Sequence, residues 1–488
     1  MARYNTKSTG TKTTNFENAP AFSETPELEL VSLLLTSFVQ DKFYESANDQ
    51  LIRLAKLVQL NDSKFAAQAA IYARTKFGMR SITHALIGEL AHKVKGQDWF
   101  KNAINRAIYR VDDITEIFSY YFSRYGKPIP NSLKKGLGMA INRFDEYQIA
   151  KYKSAGKSVK LVDVFNMIHP KPTNKYLAEV FKKLIAGELA STETWESKLS
   201  EAGKAKSVEA VADNKKQAWD SLLKNHKLGY FALLRNVRNI VEQAPKSIPE
   251  LIVQLTDENA IKKSLVFPFR FLTAIDELQK SNVDKIVLNS IALAMDISVA
   301  NVPVYEGRTA ILLDKSGSMR GNTYYGELDT KSPVSIGSLF AAALYKSNDS
   351  DIFLFDDNVY QMNFVTIGSV YNTYSALIQA AIKNMGGTNL NNAISALNKP
   401  YSRIIILSDM QSWIEGRVPT RELAAYKTKY NCPEVKVYSF DLNGYGTLQF
   451  PEKNVYALAG YSDKVFDLMK LLESDRNAMI NEIKKVEI

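Results

Sequence analysis

The stretch TAILLDKSGSMRGN, residues 309–322, ends an apolar run on a carboxylate and follows it at once with two hydroxyls. Asp314, Ser316 and Ser318 could together hold a divalent cation at a strand end, or form an ordinary turn. Two further oxygen donors lie downstream. Thr388 sits in the Gly-flanked stretch NMGGTNL, and Asp409 ends a second apolar run, RIIILSD. Two carboxylates and three hydroxyls, with water completing the shell, suit a hard ion: Mg²⁺ first, with Mn²⁺ or Ca²⁺ as alternatives, and neither zinc nor copper. With only two anionic ligands the ion would stay electrophilic and could accept an acidic group from a partner.

A second group of residues suggests different chemistry. Lys151, Lys153, Lys157 and Lys160 flank a Ser/Gly-containing loop, a helix then runs to Ile168, and HPKP places His169 and Lys171 beside two prolines. Ammonium groups around an exposed loop suit backbone phosphates, and His169 could stack on or hydrogen-bond an unpaired base. The same residues could be a solvated helix face with His169 as a helix cap, and residue types alone leave both readings open.

Other chemistries lack their residues. There is no Gly-x-x-x-x-Gly-Lys-Ser/Thr phosphate loop and no Gly-x-Ser-x-Gly elbow. DKSGS lacks the second carboxylate that an aspartyl-phosphate hydrolase carries two residues on. The four histidines, His84, His92, His169 and His226, all precede the second half, so a Ser-His-Asp triad would have to cross domains. The expectation is a binding protein, not an enzyme.

These groups need elements to position them. From 309 onward, short apolar or β-branched runs (TAILLD, DIFLF, RIIILSD, EVKVYSFD and, more weakly, VYALAG) alternate with helical stretches such as SIGSLFAAALYKS, SVYNTYSALIQAAIKN and RELAAYKTKY. That alternation predicts a parallel sheet covered on both faces, with ligands beyond the carboxyl ends of the strands, where Asp314 and Asp409 fall. Before residue 305 the period is helical: LELVSLLLTSFV, SKFAAQAAIYARTKFG with Gly78 as its stop, and helices around 82–94, 98–110, 112–125, 131–142, 175–187, 208–223, 228–242 and 248–256. Successive helices of this length fit stacked HEAT-style pairs, with a compact bundle as the alternative.

The 488 residues exceed what one core supports, so two or more domains are expected. The N-terminal residues 1–20 lack the apolar centre of a secretory signal and read as a flexible polar leader. No apolar run of membrane-spanning length occurs, and the single cysteine, Cys432, allows no intramolecular disulfide, so a cytoplasmic protein without a membrane association is expected. The net charge of +10 is unevenly placed: residues 306–488 hold 19 Lys and Arg against 20 Asp and Glu, leaving 43 against 32 before them. All the excess positive charge therefore lies in the helical part, which suggests a polyanionic partner there.

The Asp314-Lys-Ser316-Gly-Ser318, Thr388 and Asp409 pattern resembles the metal-ion-dependent adhesion site of von Willebrand factor A domains. By that resemblance the serines and Thr388 would touch the metal, and the aspartates would act directly or through water. EYQIAKYK, HPKP, YFALLRNVRNI (230–240) and VFPFRFLTAI (266–275) resemble the TROVE module of the Ro autoantigen family, in which that module precedes an A domain. The resemblance implies an all-α HEAT-like TROVE solenoid, residues 21–305, closed into a ring by a doubly wound, Rossmann-like α/β A domain, residues 306–488. It implies a monomeric ribonucleoprotein that binds small structured noncoding RNA, Y-like, on the outside of the ring and ends of misfolded RNA in its hole. The process would be RNA quality control or processing, alongside an RNA-processing nuclease. Lys151 and His169 match family residues implicated in RNA contact; Lys153, Lys157, Lys160 and Lys171 share their segment. HPKP replaces the usual His-Leu-Lys-Pro form. The competing expectation is a metal-dependent protein-interaction scaffold that uses the A-domain site without RNA.

Overall fold

The computed structural model of the chain describes residues 12–15, 18–37, 45–152, 159–189, 195–205, 207–264, 266, 269–280, 283–298, 302, 304–321, 328–364, 368–383, 385–412, 419–445, 447–448, 455–459, 466, 469 and 478–488. It is mostly helical, with a separate region of mixed, largely parallel sheet. Two compact units emerge. One is built mainly from Ala202–Met479 with the N-terminal residues up to Ser32, and the other mainly from Ser46–Glu201 with Ile480–Ile488. Among the described residues no helix is long and apolar enough to cross a membrane.

In the second of these units the expected helices lie close to their sequence positions: Ser63–Lys76, Ser81–Lys93, Phe100–Ala107, Val111–Tyr125, Asn131–Ile141 and Lys175–Ala186. Gly78 follows the first of them with φ +67°, a backbone that favours glycine. Small residues let neighbours approach closely. A Cβ on Gly136 would lie 2.7 Å from Cβ of Ile104, so helices Asn131–Ile141 and Phe100–Ala107 pack almost backbone to backbone there. The last residues of the chain are stitched into the same unit. Gln68 Nε2 donates to the carbonyls of Lys484 and Val486 at 2.8 Å each. Arg106 pairs with Glu487 at 3.1 Å.

Asp113 is the polar centre of this unit. Its carboxylate is fully buried and accepts from Arg74 Nη2 at 2.9 Å, His84 Nε2 at 2.9 Å, Arg80 Nη2 at 3.3 Å, and the N–H groups of Tyr109 and Arg110 at 2.9 Å each. Burial by itself would raise the Asp113 pKa; the His84 hydrogen bond and the Arg74 charge outweigh it and hold the carboxylate far below its usual range.

The other unit carries helices Val208–Lys224, Tyr230–Arg235, Val237–Gln243, Ile248–Leu255, Phe269–Gln279 and Lys285–Ser298 ahead of the sheet. The helix expected over 228–242 is broken at Asn236, whose side chain turns back onto the Ala232 carbonyl at 2.8 Å and whose backbone leaves the helical basin. Strands β1 (Lys12–Thr14) and β2 (Pro20–Ser23) form a small antiparallel sheet with a two-residue strand, β8 (Thr447–Leu448). The main sheet contains β3 (Thr309–Asp314), β4 (Ser350–Phe355), β5 (Val359–Met362), β6 (Arg403–Ser408), β7 (Lys436–Asp441) and β9 (Val455–Ala459). Its order is β5-β4-β3-β6-β7-β9, parallel except for the antiparallel edge strand β5. β3 and β6 are buried throughout, as continuous apolar strands in a two-faced parallel sheet must be. Leu312, Ile404 and Ile406 on one face pack with Leu390, Ile394 and Leu423. On the other face helix Pro333–Ser347 lies so close that a Cβ on Gly337 would come within 2.7 Å of Leu313 Cδ1.

Replacing Asp113 by Asn is expected to lower the stability of this protein by about 3–5 kcal/mol in urea unfolding, because Arg74 stays buried without its counter-charge. A carboxylate held below its unfolded value contributes stability above about pH 4 that fades as pH falls further. The wild-type loss of stability below about pH 4 should therefore be shallower in Asp113→Asn.

Candidate functional site

The strand order reverses between β3 and β6, which leave the sheet centre in opposite senses of winding. A doubly wound sheet opens a crevice at that switch point, beyond the strand carboxyl ends. Asp314 is the last residue of β3 and Asp409 the first after β6. Both are fully buried; Ser316, Ser318 and Thr388 are almost so.

Asp314 is held from two sides. Its Oδ1 accepts the Ser316 N–H at 2.8 Å, and its Oδ2 accepts the Ser408 hydroxyl at 2.6 Å. Ser316 Oγ and Ser318 Oγ lie 3.3 Å apart, and Ser318 hydrogen-bonds the Asp409 carboxylate. The loop with Thr388 joins them: Gly317 N–H donates to the Gly386 carbonyl at 3.0 Å, and the Ser412 hydroxyl to the Thr388 carbonyl at 3.1 Å. The five residues predicted around one ion are thus on loops tied to one another at one sheet edge. Asn15 adds an N-terminal tie, its Nδ2 donating to the Ser412 carbonyl at 2.8 Å.

The electrostatics carry a deficit. Burial raises the pKa of Asp314; the Ser408 and Ser316 hydrogen bonds work against that, and the Asp356 charge adds to it. Burial also raises Asp409, helped by the like charges of Asp314 and Asp441 and opposed by Ser318. Asp409 Oδ2 is buried with no hydrogen-bond partner. Met410, next in line, has φ +60°, a left-handed backbone that a methionine adopts only at some cost. Among the described residues no three His, Cys, Asp or Glu side chains gather as an ion cage. A two-carboxylate, three-hydroxyl set is a different kind of site, and an orphaned buried carboxylate oxygen beside a second carboxylate fits a hard dication. Asp314, Ser316, Ser318, Thr388 and Asp409 would hold it, and it would supply positive charge to the pair.

Three residues at this edge escaped the sequence reading. Ser408 was legible only as part of a strand. Asp356, after β4, forms a buried ion pair with Lys315 at 2.5 Å, and Lys315 Nζ also donates to the Lys383 carbonyl at 2.9 Å. Lys315, the intervening residue of DKSGS, therefore neutralises Asp356. Asp441 ends β7 opposite Ser408 and accepts the N–H groups of Asn443 at 3.1 Å and Gly444 at 2.6 Å. An apolar run ending in Asp was the available signal for Asp441, the same one that marked Asp314 and Asp409.

The basic segment lies in the other unit. Lys151 ends helix Glu146–Lys151, with its Nζ 5.6 Å from the centroid of the Tyr152 ring; the Arg110 guanidinium lies 4.7 Å from the same ring. Lys160 is exposed at the start of helix Leu161–Ile168, where Asp163 accepts its backbone N–H at 2.8 Å. His169 closes that helix at φ 47°, ψ 62°, its N–H donating to the Phe165 carbonyl at 3.0 Å. Its backbone is a cap and its side chain is exposed, lining a pocket of about 560 Å³ with Phe165, Pro170, Pro172, Phe181 and Lys182. The Asn142 side chain clamps the loop, donating to the Lys171 carbonyl at 3.0 Å and accepting the Thr173 N–H at 2.9 Å. The helices carrying Lys151 and His169 both flank Lys175–Ala186, through the Lys183–Glu146 pair at 3.0 Å and the Phe165–Phe181 ring contact at 4.8 Å. Lys153 and Lys157 lie outside the described residues.

A helical array followed by a doubly wound sheet with an oxygen-lined switch point defines the class of fold, and comparison with known proteins narrows it. The TROVE domain matches residues 186–291. The crystal structure of the Ro (Rsr) protein of Deinococcus radiodurans has the same fold, with a TM-score of 0.62 at 16% identity over 95% of this chain and 100% of that one. Telomerase protein component 1 of Mus musculus is 37% identical over 95 residues, and that of Rattus norvegicus 36% over 95 residues. Each match takes in 19% of this chain and spans only 3% of the relative's length. The chain thus carries a TROVE match in its helical part and shares its fold with a Ro protein.

Millimolar Mg²⁺ is expected to raise the melting temperature at neutral pH in scanning fluorimetry, and Asp409→Asn to abolish that rise. In EDTA the same variant should melt no lower than wild type, since it removes a like charge beside Asp314.

Proposed function

We propose that this protein is an RNA-binding protein of the Ro type, taking small structured noncoding RNA on its basic helical part. The observation that carries the reading is the TROVE match at 186–291, inside the part of the chain that holds all the excess positive charge. In this reading the polypeptide divides in function near residues 305 and 306. The helices before that point form a HEAT-like ring, and the sheet region after it is a von Willebrand factor A domain.

Phosphates would meet Lys151, Lys160 and Lys171, with Lys153 and Lys157 between the first two in sequence; the pocket beside His169 has the apolar walls and polar rim that an unpaired base requires. Ends of misfolded RNA entering the ring, a Y-like RNA as the particular ligand and an RNA-processing nuclease as companion belong to the same proposal, as do a cytoplasmic location and a monomeric state. No covalent step is involved. A dication at Asp314 and Asp409 would recruit a carboxylate from a protein partner or hold the sheet edge together.

Affinity should fall steeply with salt, because phosphate contacts release counterions. Replacing Lys151 and His169 together by Ala should weaken binding of a structured small RNA at least about tenfold at fixed salt and flatten the salt dependence, with melting unchanged. Filter binding across a salt series measures both. Equal affinity in the double variant would refute the assignment of these two residues, and no RNA binding by wild type would refute the function.

A further inference from the structure

Two sequence motifs remain without a role, YFALLRNVRNI at 230–240 and FRFLTAI at 269–275. They face each other. Helices Tyr230–Arg235, Val237–Gln243 and Phe269–Gln279 enclose a pocket of about 440 Å³. Its floor is apolar, made by Leu234, Val237 and Ala274. Phe231 lines the pocket with 46% of its surface exposed. Three arginines also line it: Arg235, Arg238 and Arg270.

The three are not equivalent. Arg238 is engaged, 3.3 Å from Glu277 and 3.8 Å from Glu242. Arg235 is exposed and makes no ion pair among the described residues. Arg270 is half-buried, its guanidinium 5.6 Å from the Phe231 ring centroid. Burial lowers its pKa, the Asp329 charge works against this, and the like charge of Arg235 adds to it. Two arginines thus line one apolar trough, close enough that a phosphate could bridge them beside the Phe231 ring. Thr273 lies in the same wall, fixed by a 2.7 Å hydrogen bond between its hydroxyl and that of Thr330.

A flat apolar body with an anionic group attached matches this layout. The trough and the Phe231 ring suit the planar body, the guanidiniums suit a phosphate by bidentate hydrogen bonds, and Glu277 can accept from an exocyclic amine. We infer that this pocket takes one unstacked nucleotide of a single-stranded RNA, its base against Phe231 and its phosphate between Arg235 and Arg270. The inference rests on the proposed RNA-binding function and adds to it a second subsite, distinct in sequence and chemistry from the lysine segment. An acidic peptide with one apolar anchor fits the charge but makes poorer use of two planar groups side by side.

The test uses the full-length protein and a fluorescein-labelled, 5′-phosphorylated 12-nucleotide RNA of mixed sequence without secondary structure, followed by fluorescence anisotropy. Wild type should bind it at low salt. Phe231→Ala should weaken binding about tenfold, and Phe231→Tyr should restore it to within about twofold, since stacking needs a ring of any kind. Arg235→Gln with Arg270→Gln should weaken binding and lower its salt slope. Unchanged melting in each variant separates these effects from misfolding. Equal affinity in Phe231→Ala and wild type overturns the inference. So does binding of an acidic, leucine-containing peptide at Phe231 in place of the oligonucleotide. Wild type that binds structured RNA but not this oligonucleotide overturns the pocket alone; wild type that binds neither overturns the RNA reading as well.

Discussion

A strand buried on both faces has to end, and its last polar group then meets almost no water. β3 ends on the carboxylate of Asp314, and the arrangement around it follows from keeping that charge inside. Ser316 reaches back with its N–H, Ser408 comes across from β6 with its hydroxyl, and Lys315 is drawn in to neutralise Asp356 on the other side. Met410, next after Asp409, takes a left-handed backbone at the same edge. Each is an ordinary response to a buried charge. Together they leave two carboxylates close enough to oppose each other's ionisation, with one oxygen unsatisfied. A site of this kind carries an electrostatic cost, which a proton on one of the two carboxylates relieves.

The helical unit handles its buried charge differently. Asp113 is surrounded by cations and N–H groups until nothing is missing, and its surroundings hold it ionised where those of Asp409 hold it back. The contrast separates a carboxylate whose partners are complete from one that is left partly unsatisfied. Both are deeply buried aspartates, and only the donors around them tell them apart.

That difference also marks how far the sequence could be read. The strands that end in Asp314 and Asp409 were legible because a parallel strand is a continuous apolar run and its end is abrupt. Most helices were legible from their period, and Gly78 from its place after one. The Arg74, Arg80, His84 and Asp113 cluster was not, because its members sit on different helices and nothing local pairs them. β1 and β2 were hidden too: KTT and PAFS are too short and too polar to announce strands, and β8, the second partner of β2, lies more than 400 residues away. The break at Asn236 was masked because the apolar period of YFALLRNVRNI continues across it. The Lys151–Lys171 segment showed its charge in the sequence but not that His169 would both close a helix and line a pocket.

The stitching of Lys484, Val486 and Glu487 onto the helices that begin at Ser63 makes that unit discontinuous in the chain. On a ribosome, Ser46–Glu201 emerges first, and Ile480–Ile488 follows only after the intervening Ala202–Met479 has been made. At about 5–20 residues per second the delay is on the order of fifteen seconds to a minute. Through that interval Gln68 and Arg106 lack the carbonyls and the carboxylate they hold in the finished protein.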